Sequence, residues 1–191
     1  MKDPSRFQQY LMQNESLLCY LQKSRLEGGR NLTMSTIQEF ELGYCPSIED
    51  NVYSGRLMIP LRGVRGSLLG YSGRALDGVL PLYRNSSFKK SEFLYGLHLA
   101  WRVALSQGYL IVVEGYFDVM ICRQVGIKNV VAMCGTNLST KQILLANRFV
   151  NRLSVVGDGD RAPIKIGNRF DLEVTLKFMP LGEDPDTFIL K

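Results

Sequence analysis

The chain has 191 residues, 46% of them hydrophobic and 21% charged, with a formal net charge of +5. That composition describes a globular protein with a sizeable core and excludes a disordered or fibrous one. No apolar run approaches the ~20 residues a bilayer crossing needs and no charged-then-apolar leader opens the chain, so the expectation is a cytoplasmic protein without a membrane partner.

In chain order, residues 5–25 place Phe7, Tyr10, Leu11, Leu17, Leu18 and Leu21 at helical spacing. "NLTMSTIQEFELGY" follows, with Thr33 or Ser35 as the cap of a short helix. From Arg56 the pattern changes to short extended pieces broken by glycine. "RLMIPLR", "GSLLGYSGRAL" and "VLPLYRN" read as antiparallel strands with turns at Gly63 to Gly66 and at Asp77-Gly78. "SEFLYGLHLAWRVALSQG" reads as a helix closed by Gly108. Beyond it strands and helices alternate: strands at 109–113, 129–133, 153–157 and 174–179, helices near 116–125 and 139–150, the second capped by Ser139. β-branched apolar runs alternating with helices indicate a parallel sheet. The expected architecture is α/β: a mixed α+β N-terminal subdomain over 1–105 and an α/β subdomain over 106–191.

Charge is unevenly spread. Residues 51–102 carry 8 basic and 2 acidic groups, whereas residues 103–191 hold 9 of the 18 acids. The first distribution suits a polyanionic partner. The acids of the second recur after strands. Glu114 ends "YLIVV" and Asp118 lies one helical turn on, with Gly115 letting the backbone turn sharply between them. "VVGDGD" leaves a strand with Asp158 and Asp160, and "GEDPD" follows the last strand with Asp184 and Asp186. Ligands of open parallel sheets collect beyond the carboxyl ends of the strands, so six carboxylates converge on one edge. Crowded carboxylates repel unless a counter-charge joins them. An all-oxygen set fits Mg²⁺ or Mn²⁺. Zinc is not expected, because the one histidine, His98, and the four cysteines are scattered without a C-x-x-C. The cysteines (Cys19, Cys45, Cys122 and Cys134) read as reduced, part-buried small residues.

"EGYFD" followed by "DGD" after a later strand resembles the Toprim domain of topoisomerases, primases, recombination mediators and some nucleases. Upstream, "GRLMIPLRGVRGSLLGYSGRAL", "PLYRNS", "FKKSEFLYGLHLA" and "TIQEFELGYCP" resemble the segment before the Toprim core in DnaG-type primases, and "CGTNLST" and "LGEDPDTFI" fit the same family. The resemblance covers roughly residues 20–190 and is to the RNA polymerase domain of bacterial or phage enzymes. It implies template-directed synthesis of RNA primers on single-stranded DNA, in a bacterium or a phage-infected cell. Glu114, Asp158 and Asp160 are then the catalytic and metal-binding residues, Glu114 as ligand or as general base. Asp118, Asp184 and Asp186 hold a further ion or the nucleotide triphosphate through it. Arg62, Arg74, Arg84, Lys89 and Lys90 grip template or nucleotide phosphates. Ribonucleoside triphosphates are the implied substrates, and a replicative helicase or a separate zinc-binding module the implied protein partners. The family lysine inside "PLYRNS" is replaced by Leu82, leaving Arg84 two residues on to supply the charge. Pro163 and Gly167 after "DGDRA" imply that a helix usual in the family is reduced. A Toprim nuclease and a non-catalytic DNA-binding subunit are the alternatives.

Overall fold

The computed structural model describes residues 3–47, 52–135, 137–157, 173–180 and 185–189, with the backbone alone at 178, 186 and 187. The chain divides into two compact units, Met1–Arg62 with Ser67–Phe88, and Gly63–Gly66 with Lys89–Lys191. They part near residue 88 rather than 105. The reason is burial: Leu94, Leu97, Ala100 and Ala104 enter the same core as the strands that follow them.

In the first unit, α1 (Pro4–Met12) starts at Asp3, whose carboxylate accepts the Ser5 N–H, and Pro4 occupies the first turn. Asn14 caps α2 (Glu15–Gln22), and Thr33 caps α3 (Met34–Glu39). Phe7 and Leu11 on α1, and Leu17 and Leu21 on α2, are buried pairs one turn apart. The antiparallel sheet has the order β1 (Gly43–Cys45), β2 (Arg56–Arg62), β3 (Leu68–Ala75), β4 (Tyr83–Asn85). β2 and β3 follow the sequence reading. β1 was not expected: "GYC" is too short to show a period of its own. β4 is shorter than "VLPLYRN", because Val79, Leu80 and Pro81 stand exposed in the connection. The turns form where glycines stand, with Gly66 N–H bonded to Gly63 C=O at 2.8 Å.

The second unit is built on a parallel sheet in the order β6 (Val130–Ala132), β5 (Leu110–Val113), β7 (Arg152–Gly157), β8 (Glu173–Phe178). Its helices are α4 (Leu97–Gln107), α5 (Tyr116–Gln124), α6 (Thr140–Ala146) and α7 (Pro185–Ile189). Leu110, Val112, Val131, Leu153 and Val155 share a core with Leu97, Ala100 and Ala104 of α4 and with Ile143 and Ala146 of α6. The alternate residues Val113 of β5 and Val130 and Ala132 of β6 are buried as well, so β5 and β6 are covered on both faces. Each buried Val or Leu contributes roughly 1.5–3 kcal/mol.

Two helices are shorter than expected: α6 stops at Ala146 rather than near residue 150, and the helix before the parallel sheet starts late. "SEFLYG" does not continue α4; Lys90–Glu92 makes a single 3-10 turn, and Tyr95 pairs with Ala132 through reciprocal backbone hydrogen bonds of 2.9 and 3.0 Å. Gly96 at φ 82° then turns the chain into α4, a conformation a side chain would strain. Gly108 closes α4 as read from the sequence. The segment following "DGDRA" lies outside the described residues. Among the described residues, no helix is long and apolar enough to cross a membrane.

Candidate metal and nucleotide site

Glu114 leaves the carboxyl end of β5, which lies between β6 and β7, and is only 7% exposed. The β5–β7 register pairs Leu110 with Leu153 and Val112 with Val155. Continued two residues, it sets Glu114 level with Gly157, the end of β7 and the residue before Asp158. Asp118 sits in the first turn of α5, is 6% exposed, and accepts the Gly115 N–H at 2.7 Å. This bond explains the glycine differently from the sequence reading. Gly115 has ordinary extended backbone at φ −113°, so left-handed freedom is not what it provides. A Cβ there would stand 3.0 Å from the Asp118 Oδ2, so a side chain at this position would press on the capping carboxylate, which glycine lets approach closely. Asp118 thus caps its own helix.

Two buried carboxylates on one sheet edge carry a desolvation cost that hydrogen bonds and a hard cation offset. The donor set is all oxygen, which fits such a cation. Among the described residues no group of three or more metal-ligating side chains is assembled. Asp158, Asp160 and Asp184 lie outside the described residues; Asp186 falls in α7, of which only its backbone is described. α7 packs beside α5, the helix carrying Asp118.

The basic residues divide sharply by environment. The Arg62 guanidinium is forked onto the Glu41 carboxylate, Nη2 to Oε1 at 2.7 Å, and this partner holds it above its ordinary pKa range. Arg74 lies over the Tyr83 ring, 5.2 Å from its centroid, and donates to the Tyr83 hydroxyl. Arg84 donates to the Val52 carbonyl at 3.1 Å, a neutral acceptor. Lys89 is 80% exposed and 3.7 Å from Glu92. Lys90 belongs to the parallel-sheet unit and reaches the loop after β6: a Cβ on Gly135 would lie 3.7 Å from its Nζ. Burial pushes the neighbouring Cys134 thiol up to about 12, while a hydrogen bond with Tyr116 and the Lys90 charge act against that and Asp118 with it. Lys90 and Asp118 therefore act on one point of the carboxyl edge. Tyr71 is core, edge-on to Phe7 at 5.3 Å.

Two polar residues escaped the sequence reading. Arg56 is buried and donates to the carbonyls of Gly73, Pro81 and Leu82, clamping the β3–β4 connection. Gln142 is buried beneath the Lys90 segment. Ser139 followed three residues later by Gln142 is a capping-box signature, the one local signal that marked it.

A family model described as "Toprim domain" matches residues 108–167, and one described as "DNA primase catalytic core, N-terminal domain" matches residues 49–101. The parallel sheet with Glu114 and Asp118 buried at its carboxyl edge thus falls within a Toprim domain. DNA primase of Aquifex aeolicus is 31% identical over 216 residues, spanning 92% of this chain and 43% of that protein. DNA primase of Rickettsia bellii is 32% identical over 206 residues, spanning 85% and 34%. The solved zinc-binding and RNA polymerase domains of the Aquifex aeolicus primase superpose with a TM-score of 0.83 at 28% identity, covering 97% of this chain and 55% of that one. A DnaG primase catalytic domain bound to single-stranded DNA superposes with a TM-score of 0.79 at 28% identity, covering 97% and 73%. The chain belongs to the DnaG-type primase family and corresponds to its RNA polymerase domain. It spans less than half the length of these curated relatives. The family implies a divalent metal.

Proposed function

We propose that this chain synthesises short RNA primers on a single-stranded DNA template from ribonucleoside triphosphates, during DNA replication in the cytoplasm of a bacterium or phage-infected cell. The observation that carries this reading is the pair of buried carboxylates, Glu114 at the carboxyl end of β5 and Asp118 in the first turn of α5, which fall within the Toprim match, while the primase-core match covers the segment before them. Magnesium, or manganese, is the cation expected at Glu114, Asp118, Asp158, Asp160, Asp184 and Asp186; when bound it neutralises charge developing on the transferred phosphate. The 3′-hydroxyl of the growing strand attacks the α-phosphorus of the incoming nucleotide, and pyrophosphate leaves. Glu114, buried and adjacent to the reacting edge, serves there as metal ligand or accepts the hydroxyl proton. Lys90 meets the nucleotide phosphates, and Arg74, Arg84 and Lys89 hold the template backbone, giving salt-sensitive binding. Arg62 contributes less, because Glu41 already compensates its charge. The relative solved with a zinc-binding domain supports a module of that kind as protein partner; a replicative helicase is the other partner the family resemblance implies.

The test is one incubation of protein, Mg²⁺ or Mn²⁺, unlabelled template and labelled ribonucleotides. Primase activity gives short RNA that disappears in Glu114→Gln, while template binding changes less than about twofold, because phosphate grip and chemistry use different residues. Template degradation without nucleotides indicates a nuclease instead, and binding with neither product a non-catalytic subunit.

A further inference from the structure

Gln142 is a core glutamine whose amide joins two segments distant in sequence. It is 2% exposed. Its Nε2 donates its two hydrogens to the carbonyls of Phe93 at 2.8 Å and Met133 at 3.0 Å, one of them shared with the Lys90 carbonyl at 3.3 Å, and its Oε1 accepts the Ser139 N–H at 2.9 Å. Ser139 completes the tie: its hydroxyl accepts the Gln142 N–H at 3.1 Å and donates to the Ser91 carbonyl. Lys141, on the same helix, pairs with Glu92 at 2.6 Å. The 90–93 segment is thus fastened to the start of α6 and to Met133, the residue that leaves β6 toward Cys134 and Gly135. Lys90 is the residue of that segment whose side chain extends over Gly135 toward the carboxyl edge. A four-carbon stem carries much rotamer freedom, so where its ammonium can reach depends on where its Cα is held.

We infer that Gln142 is a positioning residue: its amide fixes the Lys90 backbone against the end of β6 so that the Lys90 ammonium meets the phosphates of the incoming nucleotide. This rests on the primase reading for the identity of the ligand. Gln142 touches neither nucleotide nor metal and acts only through Lys90. Its influence should therefore vanish once Lys90 has no charge to position, whereas an amide serving stability alone would act equally in either background.

The experiment is a double-mutant cycle on the full chain with Gln142→Met, Lys90→Met and both together. It reads three quantities: equilibrium binding of a fluorescent ribonucleoside triphosphate with Mn²⁺, primer synthesis, and thermal midpoint. Ser139→Ala, which removes the hydroxyl tie to Ser91 and the cap on the Gln142 N–H but leaves the Gln142 amide in place, serves as a milder companion in the event that Gln142→Met fails to fold. The expected result is nucleotide binding about tenfold weaker in Gln142→Met and a few-fold weaker in Ser139→Ala, with template affinity unchanged. In the Lys90→Met background either change should add less than about twofold, while the loss in thermal midpoint persists in both backgrounds. Fully additive effects on nucleotide binding, or unaltered binding in both Gln142→Met and Ser139→Ala, overturn the inference. If the wild-type chain makes no RNA but the binding cycle is non-additive, the primase reading fails and the positioning role stands. If the wild-type chain binds no nucleotide, both fail.

Discussion

Cys134 shows how one residue's surroundings set its chemistry. It is buried at the carboxyl edge of the parallel sheet, and desolvation moves its thiol from an ordinary value of 9.0 up to about 12. A protonated, shielded thiol is a poor nucleophile. Cys45 and Cys122 are buried too, leaving Cys19 exposed. Brief iodoacetamide treatment of the native protein at pH 8 should add one group, at Cys19, and four after denaturation; mass spectrometry finding Cys134 labelled at a rate like Cys19 would contradict the burial. The same shift has a sign for stability. The unfolded thiol ionises near 9 and the native one near 12, so the native state holds its proton longer. Its stabilisation is complete below pH 9 and is lost as pH rises toward 12. Burial also pushes the Tyr71 hydroxyl up, which acts in the same direction. The urea midpoint should therefore fall between pH 8 and pH 10.5.

At the scale of elements, the β3–β4 ribbon tests which arginines retain charge for a polyanion. Arg62, at the end of β2, is matched by Glu41, whereas Arg84 donates to a neutral carbonyl. Removing one phosphate-binding charge should reduce the salt slope of DNA binding by about one. Arg84→Ala is expected to show that reduction and Arg62→Ala a clearly smaller one; equal slopes for both would remove Arg84 from the template-binding set. Leu82 stands where the resemblance expects lysine. The Ala75 N–H bonds to the Leu82 carbonyl at 2.8 Å, which continues the β3–β4 register by one residue, so positions 82 and 84 lie on one side of the ribbon. Leu82→Lys added to Arg84→Ala should restore affinity and slope, measured by anisotropy titration across salt concentrations. Leu82 is 38% exposed, so the change buries no charge.

For the whole molecule, the proposed acid site predicts how stability responds to metal. Carboxylates gathered at one edge repel when no cation is bound, so exchanging some for amides relieves strain in the metal-free protein. Asp158→Asn with Asp160→Asn should raise or preserve the thermal midpoint without metal. Millimolar Mn²⁺ should stabilise the wild type by mass action, about 2.7 kcal/mol at a hundredfold excess over its dissociation constant, and leave the double variant nearly unmoved. Identical Mn²⁺ responses in the two proteins would place any metal elsewhere.

The α/β alternation, the order of strands along the chain, the caps at Thr33 and Ser139, the stop at Gly108 and the Glu114–Asp118 pair were all readable from the sequence. Each depends on periodicity or on contacts within about one helical turn, which a linear string records directly. The β1 strand, the break of the 91–108 helix at Gly96 and the division of the chain near residue 88 depend on pairing across long separations, such as Tyr95 with Ala132. Local propensity does not encode those pairings, and tertiary burial overrides it. The same holds for charges. Sequence counted Arg62 among the phosphate-gripping residues, and only the fold brings Glu41 to it; sequence marked Ser139 as a cap but not Gln142, and only the fold brings Gln142 under Lys90. What each residue type can do is fixed by its chemistry, but whether its charge is already compensated depends on neighbours that only the folded chain supplies.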